Sequence, residues 1–108
     1  MRYVFISAPF SSNPGHNLNL VVKVADELRK AGLVPFVPHL YMLYDSISPD
    51  TYEAWMDMCL AELELRDVVL RLPGHSPGAD REVALAEELG MPVYYSLDDL
   101  LKAKREEG

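Results

Sequence analysis

The sequence alternates between short apolar runs rich in β-branched and aromatic residues and longer segments with helical spacing of apolar residues. The predicted strands cover residues 3–7, 34–37, 67–72 and 92–95. The predicted helices cover residues 17–31, 48–66, 79–89 and 97–107. Such alternation predicts parallel strands joined by right-handed crossovers, with helices on both faces. We therefore expect a three-layer α/β/α sandwich with the parallel sheet order 2-1-3-4.

The loops after the first three predicted strands hold most of the polar and conformationally special residues. Sheets of this kind bind ligands outside the carboxyl ends of the strands, where the strand order reverses. Ser7 ends the first strand and is expected to line the site. His39 is expected to reach the mouth of that site. Asn17 opens the first helix, either as its cap or as a ligand contact.

Length, charge and cysteine content restrict the class of protein. The 108 residues have the size of one domain, expected to span residues 1–108. No apolar run approaches the ~20 residues that span a bilayer, and the single cysteine excludes an internal disulfide, so we expect a cytoplasmic protein. A net charge of −7 without a basic stripe argues against a nucleic-acid partner. The negative charge is still compatible with a small anionic ligand, because N–H groups at the start of a helix bind phosphate without a cation.

Several catalytic and cofactor motifs can be excluded. Residues 74–78 match the G-x-S-x-G pattern of serine hydrolases, but Pro77 lacks the N–H that would bind the oxyanion. No histidine follows Ser76 to act as its base. The glycine patterns of dinucleotide and Walker-type loops are absent, and the three histidines lack metal-ligand spacing. We therefore expect neither a metal nor an organic cofactor.

Glu82 has an unusual position for a carboxylate. At about 100° per residue, it falls in the middle of the apolar arc of its helix. Burial there should raise the pKa of Glu82 above its ordinary range. Two interpretations are equally open: a core glutamate paired with an arginine such as Arg71, or a functional carboxylate. Just before it, Ser76, Gly78 and Ala79 offer a hydroxyl and N–H groups that form either a helix cap or an anion site.

The spacing S-x-G-x-x-x-E, formed by Ser76, Gly78 and Glu82, resembles that of the nucleoside 2-deoxyribosyltransferase superfamily, which includes the nucleoside 5′-monophosphate N-glycosidases. Similar positions run along nearly the whole chain: Ile6-Ser7-Ala8-Pro9, Asn17, Gly32, Pro38-His39, Asp67 and Pro92-Val93. The order of these elements is more specific than any one of them. It most resembles a small uncharacterised branch of the superfamily.

The resemblance implies a covalent mechanism. In that superfamily the glutamate after S-x-G attacks the anomeric carbon of a nucleoside and the base departs, and Glu82 matches this nucleophile. Ser76 and Gly78 match the positions that bind the 5′ end of the substrate. The proton for the base comes from an aspartate on the helix before the third strand. Asp57 is the candidate, although Cys59 stands at the spacing found in the monophosphate glycosidases.

The second predicted helix follows an aromatic loop at residues 38–47, with Ser48 as its cap and Pro49 in its first position. Asp57 belongs to an acidic stripe on this helix, which is alternatively an ordinary solvated face. Trp55 and Met58 lie outside the core stripe, so we expect a homodimer or higher homo-oligomer that uses this helix. The alternative is that Trp55 packs under residues 41–44.

We therefore expect a flavodoxin-like domain that cleaves or transfers at the N-glycosidic bond of a nucleoside or nucleoside 5′-monophosphate. Glu82 is the expected nucleophile and Asp57 the candidate acid. The expected substrate-binding residues are Ser7, Pro9, Phe10, Asn17, His39, His75, Ser76, Gly78 and Ala79. The alternative, from a different class, is a non-catalytic nucleotide-binding or sensing module on the same fold.

Overall fold

The computed structural model of the protein describes residues 1–9 and 14–107. Within these ranges the chain forms four strands, five α-helices and one 3₁₀ helix. The strands are β1 (Tyr3–Ser7), β2 (Val34–Phe36), β3 (Val68–Arg71) and β4 (Val93–Tyr94). The helices are α1 (Pro14–Lys30), the 3₁₀ helix (Pro38–Leu40), α2 (Tyr41–Ile47), α3 (Tyr52–Leu63), α4 (Pro77–Glu88) and α5 (Leu97–Glu106). None of these helices has the length and apolar character needed to cross a membrane.

The strands form one parallel sheet in the order β2-β1-β3-β4, which confirms the predicted flavodoxin-like α/β fold. β2 lies at the edge, in keeping with Pro35, because a proline cannot donate a hydrogen bond to a neighbouring strand. In the register of the two central strands, Ser7 lies beside Arg71. These two residues end β1 and β3, so both lie at the carboxyl end of the sheet.

The side chains of the central strands alternate between two cores. One core holds Val4, Ile6, Val68 and Leu70 of the sheet with Val21 and Leu28 of α1 and Leu100 of α5. The other holds Phe5 and Val69 with Cys59 and Leu63 of α3 and Ala86 of α4. The helices therefore cover both faces, as the alternation predicted. Because Ser7 follows Phe5 by two residues, its side chain lies on the face that α3 and α4 cover.

The segment between β2 and α3 differs from the prediction. The predicted aromatic loop is helical and forms α2. Ser48 ends this helix, and its N–H is bonded back into α2 at 2.9 Å. The cap of α3 is Thr51, whose Oγ1 accepts the N–H of Ala54 at 3.1 Å. The prediction that Ser48 and Pro49 start this helix is therefore wrong, because Thr51 supplies the capping hydroxyl three residues later.

Trp55 on α3 packs against α2. Its ring stacks on Tyr41 with the centroids 5.7 Å apart and meets Tyr44 edge-on at 4.9 Å. Its Nε1–H donates to Asp45 Oδ1 at 2.7 Å. Trp55 is thus engaged within the chain, as the alternative interpretation predicted, and it does not form the exposed contact patch expected on α3. The homo-oligomer itself stays a prediction.

Candidate active site

Ser7 and Glu82 meet at the carboxyl end of the sheet. Ser7 is fully buried, and its Oγ donates a hydrogen bond to Glu82 Oε1 at 2.7 Å. Glu82 reaches the sheet because it lies on the inner face of α4 together with the buried Ala79 and Ala86. These small side chains allow the helix to lie close to the strands. The prediction from helical periodicity that Glu82 faces the core is confirmed.

Burial has the largest effect on the ionisation of Glu82. The residue is 5% exposed, and burial raises its pKa to about 7. The hydrogen bond from Ser7 and the positive charge of Arg71 act in the opposite direction and favour the ionised form. Protonated and ionised Glu82 are therefore both populated near neutral pH. A buried carboxyl with this property is typical of acid–base and nucleophilic sites.

Arg71 binds the loop that follows its own strand. Its guanidinium donates to the carbonyl oxygens of Leu72 and Gly74, the latter at 2.8 Å. It also pairs with Asp80 Oδ1 at 3.5 Å. Among the described residues, the hydrogen-bond partner of the Glu82 carboxylate is Ser7. Among the described residues, Arg71 therefore lies near Glu82 without forming an ion pair with it. Arg71 binds the loop after β3, and Glu82 binds Ser7.

The start of α4 is capped by its own chain. The Ser76 side chain accepts the N–H of Ala79 at 3.1 Å, so the capping interpretation is correct for this hydroxyl. Gly78 follows Pro77 as the second helical residue, where the N–H has no acceptor within the helix. A Cβ at Gly78 would lie 3.1 Å from the Tyr52 hydroxyl oxygen. This part of the predicted substrate site is therefore narrow, and the Gly78 N–H is its available backbone donor.

Three loops meet at Pro9. The Nε2 of His39 lies 2.8 Å from the carbonyl oxygen of Pro9, and because a carbonyl only accepts, Nε2 carries the proton. His39 is 2% exposed, and its burial lowers its pKa, so the ring is neutral at physiological pH. From the other side, Gly74 has φ +121°, and a Cβ there would lie only 2.6 Å from Pro9 Cγ. The loops after β1, β2 and β3 are thus brought together, as the sheet order predicted.

Asn17 lies in the first turn of α1, which begins three residues earlier than predicted. Its Nδ2 is buried and has no hydrogen-bond partner within residues 1–9 and 14–107. Asn17 is not the cap of α1, because it lies inside the helix rather than before it. Phe10, the other substrate-binding candidate in this region, lies outside the described residues.

Two predicted site residues lie apart from the Ser7–Glu82 contact. Asp57 is exposed on α3, and it makes no hydrogen bond or ion pair with another described residue. Its assignment as the acid stays a prediction. His75 is exposed in the loop before α4, where a ligand could reach it from solvent. Neither residue belongs to the buried part of the site.

Two residues of α3, Cys59 and Tyr52, border the site, Cys59 from within the core and Tyr52 from the surface. Burial, together with the nearby charge of Glu82, raises the pKa of the Cys59 thiol to about 12, so this residue stays a protonated thiol. Tyr52 is 52% exposed and reaches over Gly78 from α3. Tyr52 and Cys59 are seven residues apart, two helical turns, and this spacing is the signal that places both on the side of α3 that faces α4. Within the described ranges, no group of three or more His, Cys, Asp or Glu residues could hold a metal ion.

The fold and site define an α/β domain with a buried, hydrogen-bonded carboxyl group at the carboxyl end of its parallel sheet. The model of a protein family described as a domain of unknown function, DUF4406, matches residues 2–95, and the chain belongs to this family. The matched range extends from β1 to β4 and includes Ser7, Ser76 and Glu82. A comparison with curated proteins gives no match.

Proposed function

We propose that the protein cleaves or transfers at the N-glycosidic bond of a nucleoside or nucleoside 5′-monophosphate, with Glu82 as the nucleophile. The observation that carries this proposal is the buried Glu82 carboxyl, bonded to Ser7 at the carboxyl ends of the central strands. The sequence resemblance to the nucleoside 2-deoxyribosyltransferase superfamily supports the assignment, because Ser76, Gly78 and Glu82 keep its spacing.

The chemistry proceeds in two balanced steps. First, an ionised Glu82 oxygen forms a bond to C1′ of the sugar while the C1′–N bond breaks, and its electron pair leaves with the base. The base takes a proton from an acid. Second, water or another base attacks C1′ and gives its proton to the acid that was deprotonated in the first step, while the ester bond to Glu82 breaks and the carboxylate is regenerated. A pKa of about 7 suits this cycle, since Glu82 is partly ionised for attack and is also a competent leaving group.

Ser7 and the start of α4 serve distinct parts of the reaction. Ser7 holds one Glu82 oxygen at 2.7 Å, which orients the carboxylate and leaves its second oxygen to attack. The Gly78 N–H, at the positive end of the α4 dipole, is placed to bind the 5′-hydroxyl or 5′-phosphate. Asp57 is the proposed proton donor to the departing base. Because it is exposed on α3, the substrate must span the distance from α4 to that surface.

We also propose a homodimer, and we assign its interface to the apolar face of α2, which includes Leu40 at the end of the preceding 3₁₀ helix and is formed by Leu40, Leu43, Tyr44 and Ile47. These side chains are 52–81% exposed and follow the spacing of one helix face. Burying two such faces against each other yields roughly 8–15 kcal/mol of gross hydrophobic gain. Association costs at least about 4 kcal/mol, and what remains of the gain corresponds to a dissociation constant on the order of micromolar rather than nanomolar.

The test is incubation of the pure protein with nucleosides and nucleoside 5′-monophosphates, with free base measured by chromatography. Mass spectrometry of the quenched reaction should find a glycosyl adduct on the peptide that contains Glu82. Glu87→Gln, an exposed substitution on the same helix, is the matched control for Glu82→Gln. Nucleotide binding without release of base would instead support the non-catalytic sensing module and overturn the proposed reaction.

A further inference from the structure

Arg71 is a buried arginine directly beside the proposed nucleophilic site. It ends β3, lies next to Ser7 in the register of the central strands and is 9% exposed. Neighbours in register point to the same side of a sheet, so Arg71 and Ser7 both face α4. The sequence resemblance assigns no role to this residue. An arginine is rarely buried without a specific set of partners, so those partners define its role.

The partners of Arg71 form a closed set around the loop before α4. One guanidinium nitrogen donates to the carbonyl oxygen of Leu72, and the other donates to that of Gly74 at 2.8 Å. Asp80, in the first turns of α4, lies 3.5 Å away on the solvent side. The guanidinium therefore connects the end of β3, the turn at Gly74 and the start of α4. A lysine could not make these bonds together, because its single nitrogen lacks the planar fork.

The groups that face Glu82 come from three elements. Ser7 donates from β1, Arg71 contributes positive charge from β3, and the protonated thiol of Cys59 lies on the α3 side. Asp80 precedes Glu82 on α4 and pairs with Arg71 at the protein surface. Arg71 is thus the only cation in this set of described groups. A change in its charge or in its pairing with Asp80 must reach Glu82 through space.

We propose that Arg71 is a positioning residue of the Glu82 site. Its fork folds the β3–α4 loop so that α4 starts next to Ser7, and its charge favours the ionised form of the Glu82 carboxyl. Its effect on catalysis rests on the proposed function, whereas its effect on Glu82 ionisation does not.

The charge is tested by nuclear magnetic resonance titration of ¹³C-labelled glutamate side chains, with the Glu82 signal assigned by its loss in Glu82→Gln. Arg71→Met should move the Glu82 titration upward by about one pH unit, a tenfold fall in the ionised fraction below the midpoint. Arg71→Lys keeps the charge and should leave the midpoint within a few tenths of a unit. Arg66→Met removes a cation that stacks on Phe36 and pairs with Glu62, and should leave it unchanged. An unshifted midpoint in folded Arg71→Met overturns the proposal.

The Asp80→Asn variant should move the titration midpoint of Glu82 in the opposite direction, and it replaces an exposed residue rather than a buried one. Asp80 is 69% exposed, so Asp80→Asn leaves the core intact while it releases the Arg71 charge from its partner. The Glu82 midpoint should then fall by a few tenths of a unit. Glu88→Gln, an exposed change at the other end of α4, should not move it. A rise in the midpoint, or equal effects of the two variants, overturns the proposal.

The role of the Arg71 guanidinium in positioning the loop is tested by measuring the release of free base from the substrate at a pH where Glu82 is fully ionised. Under these conditions Arg71→Lys should lower turnover at least fivefold and shift the amide signals of residues 74–79, and Arg66→Met should do neither. Unchanged turnover and amide signals overturn the loop-positioning part. If the wild-type protein releases no base, the proposed function fails, but the titrations still decide the role of Arg71.

Discussion

The hydroxyl of Ser7 donates to Glu82 Oε1 at 2.7 Å, a contact between residues 75 positions apart in the sequence. Both partners are buried, so the bond forms in a region where an unpaired donor or carboxylate would be costly. It fixes one oxygen of the proposed nucleophile at the end of β1. The first three predictions address this contact and the carboxyl group that it holds.

Glu82→Gln should lower base release at least about a thousandfold, because the amide keeps the shape and the hydrogen bond from Ser7 but cannot attack carbon. Ligand affinity should stay within several-fold of wild type. Turnover is measured by chromatography of the free base and affinity by isothermal calorimetry. Glu87→Gln should change neither quantity. Retained turnover in Glu82→Gln would remove this residue from the mechanism.

Activity should rise with pH through a midpoint near 7, because attack requires the ionised form of Glu82 and its pKa is about 7. The Ser7 hydrogen bond favours that form, so Ser7→Ala should move the midpoint upward, on the order of one unit. The measurement is kcat/KM from pH 5 to pH 9. Ser46→Ala removes an exposed hydroxyl bonded to Leu43 and serves as the control. A midpoint that is unchanged in Ser7→Ala contradicts the assigned role.

The same carboxyl should make stability depend on pH. Between the ordinary pKa of 4.5 and the folded value of about 7, the unfolded chain loses the Glu82 proton while the folded chain retains it. Ionisation therefore favours the unfolded state as pH rises through this window. The cost levels off above pH 7 at about 3 kcal/mol.

Glu82→Gln removes this cost because glutamine does not ionise. The melting temperature of the variant relative to wild type should be higher at pH 8 than at pH 5, by roughly 10 °C. Differential scanning calorimetry at the two pH values measures this difference, and Glu87→Gln should show no such trend. Equal differences at both pH values would mean that the folded pKa is not raised.

Gly74→Ala should destabilise the protein by about 3–5 kcal/mol, because φ is +121° and the new Cβ would lie 2.6 Å from Pro9 Cγ. Gly90→Ala, at φ +71° with open space around it, should cost only about 1–2 kcal/mol. The double variant Pro9→Ala with Gly74→Ala should recover part of the loss, since it removes the clashing atom. Urea titrations give the three values. Additive losses would show that the two loops are not in contact.

The apolar face of α2 should mediate a dimer of micromolar affinity. Ile47 is 81% exposed and lies on this face, so Ile47→Glu should shift the sedimentation equilibrium toward monomer. Leu89→Glu, an exposed leucine beyond the end of α4, is the control and should leave it unchanged. A monomeric wild-type protein at 100 μM, about a hundredfold above the expected dissociation constant, would contradict the dimer.

The sequence predicts the sheet and the burial of Glu82 well because both depend on local periodicity. Short apolar runs predict the strands, and Glu82 lies in an apolar arc whatever the partners of its helix. The position of Arg71 could not be predicted in the same way. An arginine at a strand end can reach the neighbouring carboxylate or turn back to its own loop. The choice depends on the turn at Gly74, whose positive φ brings a carbonyl within reach.

The region around α2 shows a second limit. Leu40, Leu43, Tyr44 and Ile47 have helical spacing, but the flanking prolines and aromatic residues favoured a loop. Most of that face is exposed, so the usual match between an apolar helix face and a buried surface does not apply to it. The location of Trp55 depends on the same segment, because the ring packs on Tyr41 only when α2 is formed.

Trp55 is the only tryptophan of the chain, and its indole N–H is bound to Asp45 while its ring lies between Tyr41 and Tyr44. The tryptophan emission of this protein, excited selectively over its six tyrosines, therefore originates in one place, the junction between α2 and α3. The indole emission shifts to longer wavelength when the ring enters water. Any event that lifts α2 from α3 is consequently visible without a label, and one that leaves the junction intact is spectroscopically silent.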